Sequence, residues 1–225
     1  MSRSNSITLA AAVVAGWIAL EFALRRGLVI AAAAVGVDPG LVDALVLAIG
    51  FPAIAAVLSW YALERGQDRE RWGWDWTPRA LGAGVLAALV GFVLVAGAAQ
   101  VDSALFGLDE SATTRGDGLS AAIALLLLVG NGVVVPIAEE QVWRGIVQTN
   151  LVDGWGVPAG IAVTALLFAG KHVIVDLSVI RITTLLTLGF LFGVVRHRWG
   201  TASSTVTHVL INTVSTVGLV AAAFG

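Results

Sequence analysis

The sequence contains no cysteine, and only 12% of its residues are charged. Without cysteine the chain has no disulfide, no thiolate nucleophile and no cysteine-based metal site. An ordinary soluble domain carries about 25% charged residues, roughly twice this share. The few charges sum to −2 and form no basic stripe with interleaved aromatics, as a nucleic-acid-binding surface would require. These absences argue against a thiol enzyme and predict no nucleic-acid partner.

The sequence is unusually rich in apolar residues. They make up 58% of the sequence, and the mean hydropathy is +0.91. A soluble protein of this length would have to cover its surface with polar groups, and long stretches here offer none. We therefore predict an all-α, polytopic integral membrane helical bundle that forms one domain over residues 1–225, with the lipid bilayer as its environment.

A spanning helix needs about 20 mostly apolar residues. On that criterion we predict about seven transmembrane helices, with six to eight as the range. The run from Leu28 to Val37 is too short to cross and ends in the turn signal Asp38-Pro39-Gly40. It is re-entrant, interfacial or part of a longer first helix. The predicted segments are 7–24, 41–63, 80–100, 119–150, 158–175, 179–195 and 202–223.

Charges in the loops predict how the chain is oriented. Arginines favour the cytoplasmic side, and they follow the second and sixth spans at Arg65, Arg69, Arg71, Arg79, Arg196 and Arg198. The loop 101–118 is acidic instead, with Asp102, Asp109, Glu110 and Asp117. This pattern predicts a cytoplasmic N-terminus and an outer C-terminus, although Arg25 and Arg26 then lie on the outer face. Beside the arginines, Trp72, Trp74 and Trp76 are predicted to be interfacial anchors.

Ionisable side chains within spanning helices are costly and usually mark a site. Residues four apart share a helix face, so Glu140 can pair with Arg144, and His208 lies beside Asn212. Glu139 points about 100° away from Glu140, so the two acids cannot do the same work. One is predicted to be neutralised by Arg144, and spacing alone does not choose which. The polar residues within spans are Glu139, Glu140, Arg144, Lys171, His172, His208 and Asn212.

The depth of these residues brings four of them to one level. A helical rise of 1.5 Å per residue places them about 10 to 21 Å below the predicted cytoplasmic ends. The four are Glu139, His172, His208 and Asn212. Straight helices are assumed, and Gly130, Gly132 and Pro136 weaken that assumption for the fourth segment. The sequence thus predicts a buried site that opens toward the cytoplasm.

The residue types at this level suit amide hydrolysis. A carboxylate accepts a proton from water, and an imidazole orients the same water. A second imidazole and an amide NH₂ donate hydrogen bonds to the oxyanion that forms on the attacked carbonyl. Two further residues receive structural interpretations. Lys171 is expected to snorkel or to pair with Asp176 rather than bind an anionic substrate group, and His197 is a solvated flank of its helix.

Three motifs resemble one protein family. Glu139-Glu140-Gln141-Val142-Trp143-Arg144 resembles the EExxxR motif of the CPBP family, which comprises the CAAX proteases and bacteriocin-processing enzymes and is also called Abi. Phe168-Ala169-Gly170-Lys171-His172 is similar to its FxxxH motif, and His208-Val209-Leu210-Ile211-Asn212 to its HxxxN motif. Their order along three membrane helices agrees with that family. The resemblance covers about residues 119–212.

The resemblance implies an intramembrane endopeptidase whose substrate is a membrane-associated protein or peptide, either of the prenylated CAAX type or a leader peptide. It assigns Glu139 as general base with His172 beside it on the water, and His208 and Asn212 as the oxyanion hole. Glu140 and Arg144 would support the site. No cofactor is favoured; a zinc ion held by Glu139, His172 and His208 is the open alternative, and no HExxH motif decides between them.

Two other functions fit part of the pattern. A membrane scaffold or bacteriocin-immunity-like protein would keep the buried polar cluster for structure alone. A proton-coupled transporter would use buried Glu and His side chains as a relay, but the sequence lacks the repeated halves with paired broken helices that are typical of transporters. Loss of cleavage on replacing Glu139 would distinguish the protease from both.

Overall fold

The computed structural model describes residues 2–107 and 120–224. The predicted all-α class is confirmed, because these residues form seven long helices and no strand. Six of the seven are long and apolar enough to cross a membrane, so this is a multi-pass membrane protein. The helices are α1 (Arg3–Ala34), α2 (Pro39–Glu64), α3 (Pro78–Phe106), α4 (Ala121–Trp155), α5 (Val157–Asp176), α6 (Ile182–Trp199) and α7 (Thr201–Phe224).

The first helix is longer than the predicted segment 7–24. A π-helical stretch, Ala23–Leu28, carries it on to Ala34, so the apolar run from Leu28 is the end of α1 and not a separate element. Asp38 then caps α2, with its Oδ1 accepting the N–H of Gly40 at 2.8 Å, and Pro39 occupies the first helical position. Of the three alternatives for this run, continuation of the first helix is the one observed.

The outer faces of the helices are apolar. Val93 is 74% exposed, and Leu86 and Ile30 are similarly open. A soluble protein rarely exposes a contiguous apolar surface of this kind, whereas lipid tails contact it at no cost. The exposed faces therefore agree with a bundle surrounded by the bilayer.

Two apolar clusters lie inside the bundle, one on each side of its polar residues. The larger joins α1, α2 and α4 around Trp17, Phe51 and Trp143, whose rings pack edge to face. The smaller joins α3, α6 and α7 through Ala88, Phe192 and Ile211. Glycine allows the close approach of α3 to α7: a Cβ at Gly84 would lie 2.7 Å from the carbonyl oxygen of Ser203.

Helix α4 is irregular where the site forms. It contains two π-helical stretches, Gly130–Val134 and Glu140–Gln148. In the first, the N–H of Val135 bonds the carbonyl of Gly130, and Pro136 has no N–H to offer the next carbonyls. Helix α7 supplies the missing donors, with the side chain of Asn212 bonding Asn131 O at 3.1 Å. Such π segments occur frequently at functional sites.

The arginine-rich end of the bundle is tightly closed. Arg71 Nη2 lies 2.6 Å from Asp153 Oδ2, and the N–H of Thr201 donates to Gly73 O at 2.8 Å. Trp72 is buried against Gly145 of α4, so its prediction as an interfacial anchor is wrong. Trp76 is 54% exposed, as an anchor would be.

The predicted acidic loop is only partly described. Asp102 belongs to α3 and not to a loop, and it is buried. Its carboxylate accepts the N–H groups of Thr183 and Thr184 at 2.9 and 3.0 Å and so caps the start of α6 from a neighbouring helix. The other acids of that loop, Asp109, Glu110 and Asp117, lie outside the described residues, as does residue 119, with which the fourth predicted segment starts.

Candidate active site

A cavity of about 420 Å³ lies between the two apolar clusters, and all seven helices contribute to its wall. Four residues that the sequence predicts to meet line it together: Glu139, His172, His208 and Asn212. Cavities of about 300 to 1,000 Å³ are typical of small-ligand sites, so this one has room for a short stretch of peptide. The convergence of the four side chains on one cavity agrees with the depth argument.

The two carboxylate oxygens of Glu139, which lines this cavity, have different neighbours. Its Oε1 lies 2.5 Å from Lys171 Nζ, and its Oε2 lies 3.7 Å from His208 Nε2. The distance to His208 is too long for a hydrogen bond. One carboxylate oxygen is therefore held by a cation while the other remains available on the cavity side.

Glu140 lies in the packed layer behind the cavity and does not line it. Its Oε1 accepts the Nδ1–H of His208 at 3.1 Å, and its Oε2 is 3.6 Å from Arg144 Nε. The guanidinium of Arg144 is fully buried between the rings of Phe168 and Phe192, at 4.8 and 5.5 Å. The expected pairing of one glutamate with Arg144 thus falls to Glu140.

His172 is half-buried, and one of its ring nitrogens is used in a hydrogen bond within its own helix. Its Nδ1 lies 3.0 Å from the carbonyl oxygen of Phe168, one turn earlier in α5. A carbonyl only accepts, so Nδ1 carries the hydrogen and Nε2 carries a lone pair. The described residues give Nε2 no partner, and it is free to accept a hydrogen bond from water.

His208 and Asn212 follow one another along the face of α7. Because Glu140 accepts from His208 Nδ1, that nitrogen carries a hydrogen, and the ring stacks on Phe192 with centroids 4.3 Å apart. Asn212 uses one of its two amide N–H groups on Asn131 O. Its second N–H has no partner among the described residues, and it is the one left for a ligand.

Lys171 has a different position from the one that its sequence context predicts. It is 1% exposed, so it does not snorkel, and its ammonium contacts Glu139 and Glu21 of α1. It does not pair with Asp176, whose carboxylate lies 3.0 Å from Arg25 Nη1 and 3.6 Å from Arg181 Nη2. The buried partner that replaces Asp176 is Glu21 of α1.

Glu21 is the residue that sequence reasoning misses. The predicted span 7–24 puts it near a membrane surface, where a carboxylate needs no explanation, whereas the observed helix Arg3–Ala34 puts it near the middle. It is fully buried, accepts the indole N–H of Trp17 at 2.6 Å and lines the cavity. An ionisable residue near the middle of a spanning helix indicates a site. Glu21 could have been recognised in this way only if the full length of α1 had been predicted.

The alternative zinc set does not fit this arrangement. Among the described residues, no group of three or more His, Cys, Asp or Glu side chains is placed to hold a metal. Lys171 Nζ lies 2.5 Å from Glu139 Oε1, so a zinc ion bound by this carboxylate would lie beside a buried ammonium. Zinc ligands lie at about 2.0 to 2.2 Å from the ion, and Glu139, His172 and His208 are not assembled around such a centre.

The cavity reaches the end of the bundle opposite the arginine-rich loops. Ser178 and Arg181, in the turn between α5 and α6, belong to its wall, together with Asp176 at the end of α5. Helix α5 starts at the other end, beside the closed contacts of Arg71. If the cavity opens at this turn, its opening and the arginine-rich loops face opposite sides of the membrane.

Comparison with known proteins agrees with these motifs. Residues 121–214 match the model of a family described as type II CAAX prenyl endopeptidase Rce1-like. The predicted resemblance to this family is confirmed over these residues. The Rce1-like region contains all three motifs and so every predicted site residue from Glu139 to Asn212. No curated protein and no solved structure matches the chain. This match supports a protease with a membrane-associated protein substrate.

Proposed function

We propose that this protein is an intramembrane endopeptidase that hydrolyses a peptide bond with a water molecule activated by Glu139 and His172. The observation that carries the proposal is the state of these two side chains in the cavity. Glu139 keeps Oε2 clear of Lys171, and His172 keeps Nε2 clear of its helix. Both side chains line the cavity, and a carboxylate oxygen and an imidazole lone pair can each accept one hydrogen of a water molecule.

The reaction would start with a water molecule that donates one hydrogen bond to each of these atoms. Glu139 takes the proton as the water oxygen attacks the substrate carbonyl and forms the new C–O bond. When the tetrahedral intermediate collapses, the C–N bond breaks and the proton on Glu139 passes to the leaving amine. The chain's own residues perform each of these steps, and none requires a metal.

The oxyanion would lie against α7. The unpaired N–H of Asn212 is one donor. His208 donates through Nε2 only when the ring carries both hydrogens, because Nδ1–H is already directed at Glu140. The oxyanion role of His208 therefore requires the imidazolium form.

The substrate that we propose is a membrane-associated protein or peptide, either prenylated at its C-terminus or carrying a leader peptide. The family match supports this class, since its description names a prenyl endopeptidase. The apolar outer faces of the helices place the cavity within a membrane-embedded bundle, which favours a membrane-associated substrate.

The experiment is cleavage by the purified protein in liposomes. The substrates are a farnesylated peptide, the same peptide without the lipid and a membrane-anchored leader peptide, and the products are followed by mass spectrometry. We expect cleavage by the parent protein and none by folded Glu139→Ala protein. Cleavage by Glu139→Ala at the parent rate would contradict the role of Glu139. If the parent protein cleaves none of the three substrates, the scaffold alternative would be favoured.

We also propose that the cell membrane holds the protein and that the cavity opens toward the cytoplasm. Because the chain has no cysteine, single cysteines can report the side. Ser178→Cys marks the turn at the cavity, and Glu70→Cys marks the arginine-rich loop. We expect a membrane-impermeant maleimide to label the two from opposite sides of sealed vesicles. Labelling of Ser178→Cys from outside intact cells would contradict a cytoplasmic opening.

A further inference from the structure

We propose that Lys171 and Glu21 are positioning residues for Glu139, and that this pair keeps one carboxylate oxygen of the base fixed while the other faces the water. The inference rests on the proposed function, because it gives a role to groups around the same base. It arises from two buried ionisable residues that the mechanism above does not use. Neither residue type is part of the EExxxR, FxxxH or HxxxN pattern at its position.

The ammonium of Lys171 has no hydrogen left for a substrate. It carries three N–H donors. Its Nζ lies 3.3 and 3.1 Å from the two carboxylate oxygens of Glu21 and 2.5 Å from Glu139 Oε1. Three contacts account for three donors, so Lys171 acts through Glu139 and not as a proton donor to the leaving amine.

Glu21 fixes the side of the ammonium that faces away from Glu139. Its own carboxylate is anchored on α1, with Trp17 Nε1–H donating to Oε2 at 2.6 Å and Arg25 Nη1 lying 3.7 Å from Oε1. Lys171 is thereby held between a fixed carboxylate and the base. A flexible lysine without Glu21 would move with Glu139 and would not define its orientation.

The sharing of one cation by two carboxylates also leaves the base reactive. A lysine paired with Glu139 alone would compete with the attacking water for that carboxylate. Here two of its three N–H groups are directed to Glu21, so Glu139 receives a single contact on Oε1. This division of contacts orients the carboxylate and leaves Oε2 for the proton of water.

The alternative is that the three residues form a stabilising ion-pair cluster with no effect on catalysis. Both interpretations predict that replacing Lys171 lowers stability, because Glu139 would lose its ammonium partner and, among the described residues, Glu21 would keep only Arg25 as a cation, 3.7 Å away. They differ in turnover. A positioning role predicts a lower kcat with an unchanged KM in the folded fraction, whereas a structural role leaves kcat per folded molecule unchanged.

The experiment compares Lys171→Met, Glu21→Gln and the double variant in the liposome cleavage assay, with kcat and KM referred to folded protein. We expect Lys171→Met to lower kcat about 100-fold, the size of effect that a misplaced catalytic group produces, with KM changed by less than about twofold. Adding Glu21→Gln removes the repulsion between the two carboxylates, and we expect it to restore about tenfold of that loss.

Two outcomes would overturn the inference: a Lys171→Met kcat within twofold of the parent, or no recovery in the double variant. If Lys171→Met does not fold, the double variant is compared with the parent directly, and an equal kcat overturns the inference. Arg71→Met is the matched control, since it removes a cation from the Arg71–Asp153 pair at the closed end and should leave kcat unchanged. Glu139→Gln tests the proposed function separately. Retained cleavage in Glu139→Gln would contradict the base and the inference with it, whereas loss of cleavage there together with an unchanged kcat in Lys171→Met would overturn the inference alone.

Discussion

Glu139 and Glu140 are neighbours in the chain, yet they lie in different surroundings. Glu139 forms part of the cavity wall, where Lys171 holds one of its oxygens and the other is open. Glu140 lies in the packed layer behind, between Arg144 and the Nδ1 of His208, and has no access to the cavity. Two adjacent glutamates thus have different partners and different access to the cavity.

The difference follows from helix geometry and from the number of cations on each side. A turn of about 100° between consecutive residues directs the two carboxylates to different neighbours. Lys171 contacts two carboxylates, so it keeps a partner when Glu139 is lost. Arg144 has Glu140 as its one ion-pair partner in the described part of the chain. On the proposed function, catalysis and stability should therefore be separable by substitution at these adjacent positions.

The largest expected effect separates the two glutamates directly. Glu139→Gln should lower kcat about a thousandfold, because general-base catalysis contributes about 10² to 10⁴ in rate, and it should leave the melting temperature close to that of the parent. Glu140→Gln should lower the melting temperature strongly, because Arg144 then stays buried without a counterion. The measurements are thermal unfolding in detergent by tryptophan fluorescence and cleavage per folded molecule. A reversed pattern would exchange the roles of the two residues.

Replacing Arg144 tests how much its buried ion pair with Glu140 contributes to stability. We expect Arg144→Met to destabilise the protein by about 3 to 5 kcal/mol, the cost of breaking a buried pair by deleting one partner. Arg71→Met is the control, since its partner Asp153 is partly exposed and such a pair contributes about 0 to 1 kcal/mol. Equal melting temperatures for the two variants would show that the buried layer adds nothing to stability.

The sequence predicted the parts of this comparison that depend on local spacing. Glu140 and Arg144, four residues apart, do pair, and the three motifs bring four polar side chains to one cavity. The match to an Rce1-like family supports the same segment. These features depend on helical periodicity, which a sequence displays directly.

What the sequence could not predict depends on contacts between distant helices. The role of Lys171 depends on Glu21, which is 150 residues away on α1. Asp102 caps α6 from α3, and Trp72 fills the space beside Gly145. Spacing within one helix carries no information about such partners, and the underestimated length of α1 concealed the depth of Glu21.

The smallest effect distinguishes the two donors that α7 offers to the irregular part of α4. Asn212 bonds Asn131 O, and Thr213 Oγ1 bonds Gly132 O, both at 3.1 Å. Either bond should contribute about 1 kcal/mol, so Asn212→Ala and Thr213→Val should lower stability by similar amounts. Only Asn212→Ala should also lower kcat, by about 10² to 10³, because it removes an oxyanion donor. Equal kcat values in the two variants would make Asn212 a structural partner of α4 alone and would exclude it as an oxyanion donor.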